Sequence, residues 1–114
     1  MPPESDLVRL RHMVESGEMA IEFAAGRTRA DLDSNPMLVH ALVKAIEIVG
    51  EAAVNVSDVT RQLLPAVPWP DIVGMRNRLI HAYHDVDLNI VWDTVDLDLP
   101  PLVATLKAWL ETEP

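Results

Sequence analysis

Apolar residues recur along the chain at spacings of three and four, and prolines divide that rhythm into stretches. The nine prolines stand at 2, 3, 36, 65, 68, 70, 100, 101 and 114, leaving Pro-free windows at 4–35, 37–64, 71–99 and 102–113. An interior Pro costs a helix ~3 kcal/mol, so these clusters predict helix boundaries. In the first window Leu7, Leu10, Val14, Gly17, Ile21 and Ala24 alternate at 3/4 spacing, after Ser5-Asp6 as a cap and before Gly26 as a C′ residue. The second window opens with Ser34-Asn35 and with Pro36 in the first turn. It places His40, Lys44, Glu47, Glu51 and Asn55 on one stripe, with Leu38, Ala41, Leu42, Ala45, Ile46, Val49, Ala52 and Ala53 opposite.

A short helix is expected from Asp58 to Leu64, then a stiff connector from Pro65 to Pro70, with Pro70 and Asp71 opening the next helix. Further helices are expected from Leu88 to Val95 and from Pro101 to Leu110, the latter with Leu102, Leu106, Trp109 and Leu110 inward. Pro100-Pro101 marks a kink or a break between them. No period-2 strand pattern appears. The expected architecture is all-α, an up-and-down bundle of four main helices plus short ones, spanning 1–114 as a single domain.

Composition narrows the function. With 114 residues there is room for one modest core, which excludes a two-domain enzyme. No apolar run approaches the ~20 residues needed to span a bilayer, and the segment Met1 to Asp6 has neither a basic nor an apolar targeting region, so a cytoplasmic protein without membrane contact is expected. The absence of Cys removes disulfides and thiolate metal sites. Nine basic against 18 acidic residues give a net charge of −9, which argues against broad sequence-independent binding to nucleic acid and leaves room only for a local basic site.

Such a site suggests itself on the helix that starts at Asp71. At about 100° per residue, Ile72, Met75, Leu79 and Ala82 share one arc, the core face. Arg76, Asn77, Ile80, His81 and His84 fall on another, beside Val73. Taken alone, that second face admits a plain reading: solvated polar residues, with His81 favoured near a helix C-terminus.

The run Arg76-Asn77-Arg78-Leu79-Ile80-His81-Ala82-Tyr83 resembles the R-x4-6-H-x-Y signature of the HepT-like branch of the HEPN superfamily. The resemblance extends to Gly50-Glu51-Ala52-Ala53, to Val67-Pro68-Trp69 and to Val86-Asp87 followed by Val91-Trp92, and so covers nearly the whole chain. It implies a helical homodimer whose two motifs meet in a cleft and cleave RNA without metal or cofactor, as the toxin of a toxin–antitoxin pair. The residue types suit that chemistry. Two copies of His81, titrating near neutral pH, serve as base and acid, and Arg76 offers fixed charge and paired donors to phosphate oxygens. Asn77 would orient phosphate or His81, and Glu51 would hold Arg76 or His81, unless it is simply a solvated carboxylate. Val73 and Ile80 become sensible if that face is buried against its twin. DNA, lacking the 2′-hydroxyl, is refused. By resemblance, Tyr83 is the hydroxyl that a partner nucleotidyltransferase of the minimal (MNT) type modifies with AMP; packing on the core edge is its other reading, compatible with the first.

Other constellations carry less. Asp31-x-Asp33-x-Asn35 imitates half a calcium loop, but Pro36 and Leu42 occupy the positions that need Gly and Glu, so helix capping is expected. His81, His84, Asp85 and Asp87 match no common metal spacing, and Arg27 and Arg29 would form a basic rim or be solvated. The rival to an RNase is a non-catalytic helical module that binds a nucleotidyltransferase or a nucleotide, and beyond it a plain structural dimer.

Overall fold

The computed structural model describes residues 2–81 and 86–112, with Ile80 and His81 described as backbone only. Four long helices, α1 (Glu4–Ala24), α3 (Pro36–Val54), α5 (Trp69–His81) and α7 (Leu99–Glu111), are joined by the short α2 (Asp31–Ser34), α4 (Asp58–Leu63) and α6 (Leu88–Asp93) and by a π-helical segment, Thr94–Asp98. No strand occurs among the described residues. The result is an all-α bundle in which α1 packs on α3 and α7, and α3 packs on α5. Its thickness of 19 Å fits two layers of helices at interaxial distances of 8–10 Å. No helix among the described residues is long and apolar enough to cross a membrane.

Local signals set several boundaries. Gly26, with φ 75°, follows the cap residue Ala25 and so takes the left-handed C′ position that ends α1. Asn35 caps α3, its Oδ1 accepting from Leu38 N–H at 3.1 Å, while Pro36 needs no N–H partner in the first turn. Asp31, Asp33 and Asn35 thus behave as capping and pairing groups: Asp31 accepts from Thr28 N–H at 2.7 Å and Asp33 pairs with Arg29 at 3.1 Å. The expected solvation or basic-rim role of Arg29 gives way to a strut, because its Nε also donates to Asn89 Oδ1 at 2.6 Å and ties α6 to the α1–α2 loop.

Two expectations need correction. Ser5-Asp6 is not the cap of α1, which begins at Glu4 after Pro3 with no side-chain cap. Asp6 is instead buried, and its carboxylate accepts from the Ser57 N–H and hydroxyl and from the Thr60 hydroxyl, fastening α1 to the start of α4. The prolines at 100 and 101 do not break the chain: both lie in the opening turn of α7, which starts at Leu99 and continues directly from the π segment, so of the kink or break expected there only the break is excluded. Neither proline has an N–H to give, so the α-helical ladder is short of donors there. The N–H of Leu99 reaches five residues back to the Thr94 carbonyl.

The core runs from Leu10, Met13 and Ala20 on α1 through Leu42, Ile46, Val49 and Ala53 on α3 to Val91, Leu99, Leu102 and Leu106. The start of α5 is anchored to this mass. Trp69 is buried and donates its indole N–H to the Leu64 carbonyl at 3.2 Å, and Arg61 lies over its ring, 5.3 Å from the centroid. Arg61 also donates to the carbonyls of Ala53 and Val56, satisfying the C-terminal end of α3. One residue therefore fixes the end of α3 against the beginning of α5, and the site lies where these two helices meet.

Candidate active site

Core packing orients α5 as its periodicity predicts: Leu79 is buried, Ile72 and Met75 are half-buried against the core, and Arg76 turns toward α3. Arg76 donates from Nε to Glu51 Oε1 at 2.9 Å, and its Nη2 pairs with the same oxygen. Its Nη1 donates to Asn77 Oδ1 at 2.9 Å. Glu51, expected to hold Arg76 or His81, holds Arg76. Asn77, expected to orient phosphate or His81, directs its amide oxygen to Arg76; the His81 side chain lies outside the described residues.

The guanidinium is held, not used up. Of its five N–H bonds, three go to Glu51 and Asn77, and the other two have no acceptor among the described residues. The Arg76 side chain is 25% exposed, so the charge is partly shielded from water but reachable. A planar fork pinned on one edge and open on another suits a phosphate oxygen arriving from solvent.

Apolar surface flanks this fork. Val73, one turn before Arg76 and Asn77, is half-buried, and Ile48, one turn before Glu51, is 38% exposed. Sequence reasoning places Val73 here but misses Ile48, which is hidden among the apolar positions of its helix. His81 is the last residue of α5, and its side chain, like that of Ile80, lies outside the described residues. So do Ala82, Tyr83, His84 and Asp85, and with them the AMP-acceptor expectation and most of the discounted metal cluster. Among the described residues no group of three His, Cys, Asp or Glu side chains could hold a metal. Asp87 acts as the cap of α6, accepting from Asn89 and Ile90 N–H.

A cleft of about 480 Å³ opens on a different face of α5, lined by Ile72, Met75, Leu97, Leu102 and the rim residues Asp71 and Asp98, and touches neither Arg76 nor Glu51. Arg78 also lines it, but that guanidinium has no carboxylate or amide bracing it among the described residues, unlike Arg76.

Fold and site together define a small helical-bundle protein with a carboxylate-braced arginine on the helix that carries R-x4-H. Residues 13–109 match the family model described as Ribonuclease HepT-like, and the chain belongs to that family. It is 36% identical over 104 residues to "Putative RNase TTE0752" of Caldanaerobacter subterraneus subsp. tengcongensis, covering 91% of this chain and 93% of that protein. It is also 36% identical over 93 residues to "Probable ribonuclease HepT" of Thermococcus cleftensis, covering 82% and 84%. No solved structure matches the chain.

Proposed function

We propose that this protein is a metal-independent endoribonuclease acting as the toxin of a HEPN/MNT toxin–antitoxin pair, working as a homodimer with the two Arg76/His81 motifs across one cleft. The observation that carries the reading is the Arg76 guanidinium, pinned by Glu51 and Asn77 with two N–H bonds lacking an acceptor among the described residues, on the helix that ends at His81. Membership of the HepT-like ribonuclease family and the ribonuclease names of its relatives support it.

The chemistry needs no cofactor. One His81 imidazole takes the proton of the RNA 2′-hydroxyl, O2′ attacks the adjacent phosphorus, and a phosphorane forms with extra negative charge on its oxygens. Arg76 stabilises that charge with donors already in place, so little reorganisation is needed at the moment of reaction. The P–O5′ bond then breaks, and the imidazolium of the other subunit protonates the departing 5′-oxygen. The products are a 2′,3′-cyclic phosphate and a 5′-hydroxyl. Apolar Ile48 and Val73 beside the fork suit burial against a second copy, which would bring the motifs together.

The antitoxin would be an MNT-type nucleotidyltransferase. In its reaction the Tyr83 hydroxyl attacks the α-phosphorus of ATP and pyrophosphate leaves, placing an AMP phosphodiester two residues from His81. The added anion would compete with RNA for the arginine. Mass spectrometry after incubation with the cognate enzyme and ATP should show AMP increments that vanish in Tyr83→Phe; equal labelling of that variant refutes the assignment.

The main test is a labelled-RNA assay. Cleavage should persist in EDTA, yield the cyclic phosphate, and fail when the scissile nucleotide is 2′-deoxy. Loss of activity with chelator, or cleavage of the deoxy substrate, would overturn the mechanism. The net charge of −9 favours a second reading, a module that binds the nucleotidyltransferase without cutting RNA. Tight nucleotidyltransferase binding with no cleavage by unmodified protein would select it.

A further inference from the structure

We infer that Gly50 is a positioning residue for Arg76: it gives α3 a bare backbone against which the root of the Arg76 side chain rests, and so sets whether the guanidinium can reach Glu51. The inference rests on the reading of Arg76 as the phosphate-binding group, and it concerns how that group is held. A Cβ at Gly50 would overlap Arg76 Cβ, stand 2.7 Å from its Cγ and lie 3.4 Å from its Cα. These are the atoms nearest the α5 backbone. A long side chain can swing its far end aside, but Cβ cannot move unless the helix moves with it.

The other helical glycines do not share this role. A methyl added at Gly74, on α5 itself, would have no neighbour within 4 Å, and at Gly17 it would meet only the Cγ2 tip of Val103, at 2.6 Å. Gly50 alone bears on the site, and it immediately precedes the carboxylate that receives the arginine. Gly50 therefore fixes the depth of the α3–α5 contact, and Glu51 and Asn77 fix the direction of the fork. If α5 is lifted by the ~1 Å that a methyl would demand, the Nε–Glu51 hydrogen bond opens beyond range, the Nη2 contact is stretched toward its limit, and the guanidinium loses its fixed direction. Misplacement of that size can cost ~100-fold in rate without removal of any reacting group.

The test uses the full chain and a readout that needs no activity. In the parent, the Arg76 Nε–Hε resonance, assigned by its loss in Arg76→Lys, should have the shift and slow exchange of a hydrogen-bonded guanidinium. Gly50→Ala should return it to the position of a solvated arginine and lower kcat for RNA about 100-fold, more than it alters KM. Gly74→Ala should leave both unchanged. Should Gly50→Ala fold poorly, the double variant answers the question by melting: the methyl should cost about 4 °C or more beside Arg76 and almost nothing in an Arg76→Gly background. An unmoved Nε–Hε resonance in Gly50→Ala, or an equal melting cost in both backgrounds, overturns the inference. If the resonance moves as expected while Arg76→Lys cleaves RNA like the parent, the seat stands and the ribonuclease reading of Arg76 falls.

Discussion

At the α1–α4 junction, Asp6 is 3% exposed and takes three hydrogen bonds from Ser57 and Thr60, with no cation paired to it among the described residues. At the α3–α5 junction, Glu51 has a side chain 51% exposed and takes an arginine. Both carboxylates bridge helices far apart in sequence, yet they do different work. Burial by itself would push Asp6 upward, but the hydroxyl and N–H donors of Ser57 and the Thr60 hydroxyl outweigh it and hold the carboxyl below its ordinary 3.8. The donors are neutral and consumed inside the fold, so nothing is left to meet a ligand. Glu51 instead steadies a cation that is 25% exposed and keeps two N–H bonds without an acceptor among the described residues, which separates a fastening from a candidate site.

The sharpest way to break that contrast is to remove each partner. Arg76→Ala or His81→Ala should reduce RNA cleavage by about 10²–10⁴ while shifting stability by ~1 kcal/mol or less, because the Arg76–Glu51 pair is partly solvated. Paired cleavage assays and thermal melts check this; a large loss of stability with retained cleavage would reverse the roles assigned to the two junctions.

Asp6→Ala should do the opposite. It strands the buried donors of Ser57 and Thr60, so the fold should lose about 1–3 kcal/mol while cleavage by the folded fraction is unchanged. The effect has a defined pH window. With its folded-state pKa below 3.8, Asp6 gives stability that is complete above that value and is lost as pH falls through the lower one. Denaturant midpoints of parent and variant should therefore differ most at neutral pH and converge in strong acid. A gap that widens on acidification would contradict the hydrogen-bonding account.

These two junctions also show where the sequence is readable. Gly26, Asn35 and Pro36 act through neighbours within four residues, so composition at a helix end is enough to place them. Asp6 imitates a helix cap on the same local evidence, and only its partners 51 and 54 residues away reveal the fastening. Helix α2 leaves no trace in the pattern because four residues are too few for a period to show. At the candidate site, the polar stripe of α3 and the arc of Arg76 bring out the side chains that meet there, Glu51 and Arg76, but leave two partners open for Glu51. The contact with Arg76 comes from the close approach of α5 to α3 at Gly50, which no spacing along one helix encodes.

A third carboxylate sharpens the comparison with the smallest effect. Asp98 lines the apolar cleft together with Arg78, yet it makes no hydrogen bond or ion pair through its carboxylate among the described residues. Burial, joined by the negative charges of Asp93 and Asp71, pushes its pKa above 3.8. The folded chain thus binds this proton more readily than the unfolded chain, so the ionised form detracts from stability once the pH exceeds the folded-state value. Asp98→Asn should relieve that repulsion and raise stability at neutral pH by ~0.5 kcal/mol or less, in keeping with an exposed position. The gain should shrink as pH falls through the raised pKa and vanish below 3.8, where both states carry the proton. Added salt should reduce it at neutral pH by screening Asp93 and Asp71. Melting curves across pH decide the matter: a destabilised variant, or a gain that is flat with pH, would show that Asp98 has a partner after all and belongs with Asp6 and Glu51.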